Sequence, residues 1–206
     1  MNYLVLITAR IGSKRLKFKN IKYLNGLRLF EHTLKFAIKN FDKKKILVST
    51  DSSFILRRSK DYNVLCPWLR PLKFSLDNSS SYDTIKHAAR WFEYKFGKLD
   101  YLILLQPTTP FRNNKTLRRC IKLFEEYKDF NVKTICKKYK YSNKKKILFF
   151  GNICSESGSF YIFPRKNIFS EKMYIKKNKY ILVLDDRENI DIDNLKDYYI
   201  ARQILR

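Results

Sequence analysis

Residues 3–20 read YLVLITARIGSKRLKFKN, an apolar run that ends in a loop carrying five basic residues around one glycine and one serine. A run of this kind, rich in branched side chains and without alternation, suits a strand buried on both faces. The loop that follows has two readings. It is a phosphate cradle, in which Gly12 permits close backbone approach, successive amides face an anion, and Arg10, Lys14 and Lys19 supply fixed positive charge; or it is a solvated turn in a chain that is basic almost throughout.

The strand signature recurs at 45–50 (KILVST) and 100–105 (DYLILL), each closing on polar or turn-forming residues. Between them, 29–41 places Phe30, Leu34, Ala37, Ile38 and Phe41 on one helical face, and 79–97 predicts a longer helix capped by Asp77 or Asn78. Further along, 113–128 predicts a helix, 131–136 a strand, 159–163 (SFYIF) a strand-like run preceded by Gly158, and 194–205 a last helix after IDID (190–193). Strands alternating with helices predict an α/β fold on a largely parallel sheet covered on both faces. No repeat, long linker or proline-rich boundary interrupts this order, so one domain over 1–206 is expected. In such a sheet, ligands collect beyond the carboxyl ends of the strands. The loops after residues 8, 50 and 105 should therefore share one mouth.

Lys and Arg number 44 against 19 acids, a net charge of +25, an excess that ordinarily points to nucleic acid, an anionic membrane or a polyanionic substrate. The lysines are spread over every segment, with local runs at 43–45, 137–140 and 144–146, and they form no helix-turn-helix, finger or aromatic-strand signature. That distribution weighs against a nucleic-acid partner, although a basic nucleic-acid-binding module on an α/β scaffold remains the rival from another class. Cys66, Cys120, Cys136 and Cys154 contain no CxxC pair and have no histidine at metal-ligand spacing, so buried thiols are expected rather than zinc or disulfides. His32 and His87 fall among apolar neighbours in predicted helices and read as structural. The opening apolar run is too short for the core of a signal peptide and no 18-residue apolar stretch follows, so no membrane association and a cytoplasmic location are expected.

Six stretches in order, ITARIGSKRLKFKN (7–20), VSTDS (48–52), RPLKFSLDNSSS (70–81), LLQPTTPFR (104–112), SGSFYI (157–162) and NIDIDNLKD (189–197), resemble the acylneuraminate cytidylyltransferase family. That family includes CMP-sialic, CMP-legionaminic and CMP-pseudaminic acid synthetases and is related to the CMP-Kdo synthetases. The resemblance covers nearly the whole chain. It implies a three-layer α/β/α, Rossmann-like nucleotidyltransferase fold, and a reaction in which CTP and a nonulosonic (sialic-acid-like) sugar give a CMP-sugar and pyrophosphate with magnesium, for surface glycan biosynthesis. It also implies a homodimer. A degenerate or differently specific sugar nucleotidyltransferase, for example of the Kdo type, is the alternative within the same class.

Residue by residue, Arg10, Ser13, Lys14, Lys19 and Asn20 match the family's phosphate loop, whereas Ile11 stands where a glycine is usual and Lys17 where proline is common. Arg10 and Lys19 are the candidate catalytic cations. Arg70 and then Ser80 or Ser81 at a helix start match the base-recognition segment, where hydroxyls can hold the cytosine edge; plain N-capping by Asp77 with a serine-rich first turn is the other reading. Gln106, a polar amide after an apolar strand, is implied near the sugar and ribose. Asp191 and Asp193 lie two apart, so in an extended segment both carboxylates face one side, where they would hold Mg2+ against the phosphates; precapping of the last helix is the alternative. The departure lies around 137–157, where a compact lysine-rich stretch replaces the longer excursion that in the family supplies dimer contacts and sugar-carboxylate ligands, and Ser157-Gly158 replaces Asn-Gly.

Overall fold

A computed structural model describes residues 1–76, 79–137, 140–142, 145–147, 154–170, 177–183 and 185–205. In chain order the elements are β1 (Tyr3–Thr8), β2 (Tyr23–Leu24), β3 (Leu27–Arg28), α1 (Leu29–Asn40), β4 (Ile46–Ser49), α2 (Ser53–Asp61), α3 (Ser81–Phe96), β5 (Tyr101–Leu105), α4 (Asn114–Glu126), β6 (Asn131–Lys137), β7 (Lys140–Ser142), β8 (Lys145–Ile147), β9 (Cys154–Pro164), α5 (Arg165–Ile168), β10 (Asn178–Leu182) and α6 (Leu195–Ile204). Six strands form the central sheet in the order β10-β6-β9-β5-β1-β4. The pairs β1–β4, β1–β5 and β6–β10 are parallel, and β9 runs antiparallel between β5 and β6. The sheet is thus mostly parallel, as the alternating pattern predicted, with one reversed strand inserted.

The apolar run of β1 sorts its side chains by parity, because successive residues of a strand point to opposite faces. Val5 and Ile7 join Val48, Ile103 and Leu105 beneath Phe30, Leu34 and Ala37 of α1. Leu4 and Leu6 join Leu47, Leu102 and Leu104 beneath Ile85, Ala88, Ala89 and Phe92 of α3. The register Leu6 opposite Leu47 and Leu104 keeps each layer continuous across three strands. Burial of each large side chain contributes roughly 1.5–3 kcal/mol. This double-sided packing holds the carboxyl ends of β1, β4 and β5 at one edge.

Two details differ from the sequence reading. The cap of α3 is Ser80, whose hydroxyl accepts from Tyr82 N; Asp77 and Asn78 lie outside the described residues. Gly158 does not precede a strand but lies inside β9, at φ 73°, near a register irregularity between Lys133 and Ile135 of β6. The runs at 138–139 and 143–144, like most of the compact stretch up to 153, also lie outside the described residues. Cys66, Cys120 and Cys136 are buried free thiols, and burial pushes Cys66 up to about 11 and Cys120 to about 12, which makes both unreactive. His32 hydrogen-bonds Leu24 O at 2.7 Å, a structural contact.

Candidate active site

A cavity of about 610 Å3 opens at the carboxyl edge of the sheet. The loop after β1 and the turn after β5 line it directly, through Arg10 to Lys19 and through Gln106 to Thr108. The loop after β4 acts at one remove. Asp51 Oδ1 accepts from Ile11 N at 2.7 Å, and Thr50 O accepts from Arg70 N at 2.6 Å. One amide of the basic loop is therefore taken by Asp51 instead of facing an anion, which narrows the expected concavity of successive amides. The space beside Gly12 is open, since a Cβ there would meet no atom within 4 Å.

Asn20 fixes the loop from behind. It is buried, and its Nδ2 donates to Arg10 O at 2.7 Å, while its Oδ1 has no partner among the described residues. Lys19 is 9% exposed and lies in a short 3-10 turn, Lys19–Ile21, entered through Phe18 in the left-handed region at φ 55°. Its Nζ meets Asp193 Oδ1 at 2.9 Å. Ser13 and Lys14 line the same wall.

Arg70, 6% exposed, enters from the loop before α3. Its Nε donates to Ser75 Oγ at 3.0 Å, and its Nη2 is buried without a partner among the described residues. Burial pulls the guanidinium pKa down, Asp51 opposes the change and Arg10 reinforces it. A buried guanidinium donor without a partner, on a residue that lines a cavity, is a ready partner for a ligand oxygen, because an unmet charged donor costs more than a met one. Ser79 and Ser81 line the cavity, whereas the hydroxyl of Ser80 is used in the cap.

Asp191 and Asp193 both line the cavity, Asp193 in direct contact with Lys19 of the basic loop. Neither caps α6: Asn194 and Asp197 form its capping box, and Asp197 also accepts from Asp193 N at 2.9 Å. Asp191 is exposed to the cavity. Loss of hydration raises its pKa; Asp193 and Asp197 add to the rise, and Thr108 and Lys19 oppose it. Among the described residues no cluster of three or more His, Cys, Asp or Glu could hold a metal alone. Two hard carboxylate donors beside a cationic wall suit Mg2+, which takes one or two protein carboxylates together with substrate phosphates.

Several residues of the site gave no signal in the sequence reading. Asp51, Arg15, Thr108 and Arg112 act through contacts far apart in the chain, and only their membership of the quoted stretches could have drawn attention to them. Arg15 Nη2 lies 3.0 Å from Asp193 Oδ2. Glu188 is buried and accepts from Thr116 Oγ1 at 2.7 Å, tying the segment before Asp191 to α4; burial raises its pKa, and the bonds from Thr116 and Asn113 N oppose that.

A mostly parallel sheet with a cation-lined cavity at its carboxyl edge defines an α/β protein built for an anionic ligand, and the fold is that of the nucleotidyltransferases. The solved CMP:2-keto-3-deoxy-manno-octonic acid synthetase complexed with CTP superposes with a TM-score of 0.72 over 100% of this chain and 98% of that one, at 12% identity. The profile of the cytidylyltransferase family matches residues 4–205, and the chain belongs to that family. It is 31% identical to CMP-N,N'-diacetyllegionaminic acid synthase of Legionella pneumophila over 100% of this chain and 97% of that protein. It is 26% identical to N-acylneuraminate cytidylyltransferase of Escherichia coli over 96% of this chain, which spans about half, 51%, of that protein.

Proposed function

We propose that this chain transfers CMP from CTP to a nonulosonic acid, releasing pyrophosphate, in the synthesis of a surface glycan. The observation that carries the reading is the convergence on one cavity of Arg10, Lys14, Lys19 and Arg70 with Asp191 and Asp193. The full-length likeness to a legionaminic acid synthase supports the acceptor class. The chain would act as a single catalytic unit over 1–206, in the cytoplasm where CTP is made. Among the described residues no helix is long and apolar enough to cross a membrane.

In this reading Arg10, Ser13, Lys14 and Lys19 bind the triphosphate, and Asn20 holds the loop that presents them. Arg70 offers its unpartnered Nη2 to the base or ribose, and Ser81 lines the same cavity. Gln106 faces the acceptor. Its hydroxyl attacks the α-phosphorus in line, and Arg10 and Lys19 take up the charge that grows on the departing pyrophosphate, a role worth most in the transition state. Asp191 and Asp193 would hold Mg2+. When bound, the ion supplies charge neutralisation of the phosphates and helps align the leaving group.

The test is pyrophosphate release from CTP across a panel of nonulosonic acids and Kdo with magnesium present. Release with a nonulosonic acid and none with Kdo supports the reading. Release with Kdo alone transfers the chain to the Kdo type, and release with no acceptor at all overturns it.

A further inference from the structure

The side-chain amide of Gln106 makes no hydrogen bond to any described residue, although it lines the cavity. Its place is set by shape. Gly158, at φ 73° inside β9, lies directly against it: a Cβ at position 158 would stand 2.8 Å from Gln106 Oε1 and 3.3 Å from Thr109 Cγ2. The first distance is well inside van der Waals contact, and the left-handed backbone disfavours any residue with a Cβ.

The turn that bears Gln106 is held by one side chain. The guanidinium of Arg112 donates to Gln106 O at 2.5 Å, Thr109 O at 2.6 Å and Thr109 Oγ1 at 3.0 Å, and on the other side to Ser159 O at 2.8 Å and Thr33 Oγ1 at 2.8 Å. Thr109 Oγ1 lies 3.2 Å from Gly158 O. A guanidinium spends its fork of donors on backbone carbonyls here, and no carboxylate pairs with it among the described residues. Such use fixes geometry more than it adds charge. Burial pulls the Arg112 pKa down to about 9, which still leaves it cationic at neutral pH.

We propose that Gly158 and Arg112 are positioning residues for the acceptor end of the reaction. Arg112 locks the 106–109 turn to β9, and the missing side chain of Gly158 forms the notch in which the Gln106 amide rests. The amide is thereby kept ordered while both its polar atoms stay free for a hydroxyl-rich substrate. This rests on the reading that Gln106 contacts the sugar. A residue larger than glycine at 158 would turn the amide away from the acceptor and leave the triphosphate wall untouched.

The experiment is a double-mutant cycle of Gly158→Ala and Gln106→Ala, with KM for CTP and for the acceptor measured separately and the Gln106 side-chain amide followed by NMR. Gly158→Ala is expected to raise the acceptor KM about tenfold, the size of effect a misplaced contact group has. It should leave the KM for CTP unchanged, shift the Gln106 amide resonance, and add little in the Gln106→Ala background. Full additivity of the two variants, or an unmoved Gln106 resonance, overturns the inference. If the resonance moves as expected while Gln106→Ala keeps the wild-type acceptor KM, the notch stands and the assignment of Gln106 to the sugar falls. Arg112→Lys, which keeps the charge and loses the fork, should reproduce the KM split; a fall in melting temperature with both KM values unchanged would remove Arg112 from the proposal.

Discussion

Lys19 Nζ lies 2.9 Å from Asp193 Oδ1, across 174 positions of sequence. Arg15 Nη2 holds the second oxygen of the same carboxylate at 3.0 Å. The basic loop after β1 is thus closed onto the segment before α6 by ion pairs that join a triphosphate-binding candidate to a metal-binding candidate. A triphosphate bound by this loop would compete with Asp193 for Lys19, and a cation bound by Asp193 would compete with Lys19. Each ligand frees the group the other needs, so the two should bind with positive coupling, and by linkage the coupling is reciprocal.

Asp193→Asn tests that coupling. In the wild type, magnesium should tighten CTP binding, and CTP should tighten magnesium binding by the same factor, about tenfold, within the usual range for coupled sites. Calorimetry on the variant should find most of that coupling gone. Stability should fall by about 1 kcal/mol, because Asn keeps an acceptor for Lys19 but loses the charge. Equal coupling in both proteins would show that the ion pair plays no part.

Arg10→Ala and Lys19→Ala should each lower kcat by about 100- to 1,000-fold, the usual loss when one preorganised donor to developing charge is removed. The fold should remain, since neither side chain belongs to the apolar layers around β1. Steady-state rates and circular dichroism decide this together, and variants with wild-type rates would make the loop an ordinary surface turn.

How much of this was legible beforehand depends on the range of the interactions. The strands β1, β4 and β5 were readable because burial on both faces leaves a run of branched apolar residues that needs no partner to be recognised. The helix α2 was not, because SFILRRSKD buries only Ile55 and Ser59 and carries too narrow an apolar stripe to stand out. β9 could not be assigned a direction, since its reversal follows from pairing with β5 and β6 and from nothing within the strand. The candidate site followed the same division. Arg10, Lys14, Lys19 and Gln106 stand where short local patterns put them, and the cavity gathers them. Asp51 gripping the loop amide, Arg15 on Asp193 and Arg112 behind Gln106 are contacts between distant segments, which no spacing encodes.

Arg70 supplies a nucleotide test. With magnesium, CTP at about 100 times its Kd should stabilise the folded protein by about 2.7 kcal/mol. For a chain of this size that corresponds to a rise in Tm of about 5–10 °C. ATP, GTP and UTP should give smaller shifts. Arg70→Lys keeps a positive charge but loses the planar fork and the bond to Ser75, so the CTP shift should shrink toward those of the other nucleotides. Thermal shifts that are equal for all four nucleotides in the wild type would remove the cytidine assignment.

Asp191 carries a pH signature whose sign is fixed by its surroundings. Its carboxyl stands in the cavity with reduced hydration, beside Asp193 and Asp197, so its folded-state pKa lies above the ordinary carboxylate value; the bond from Thr108 and the charge of Lys19 offset only part of that rise. An acid whose pKa is raised by folding costs stability when it is ionised. The cost is complete above the folded-state pKa, declines as pH falls through it, and is absent below the unfolded value of about 3.9. Asp191→Asn removes the charge, so in metal-free protein it should raise Tm at pH 7, and the gain should shrink as pH falls toward 4. Activity should move the opposite way, dropping at least about tenfold, as when a group tuned for function at the expense of the fold is neutralised. Melting curves in chelator from pH 4 to 8, beside rates with magnesium, check both halves. A variant less stable than the wild type at pH 7 would mean that Asp191 is held in its ionised form by the protein and is a structural carboxylate, and a difference that does not change with pH would mean that folding leaves its pKa unmoved.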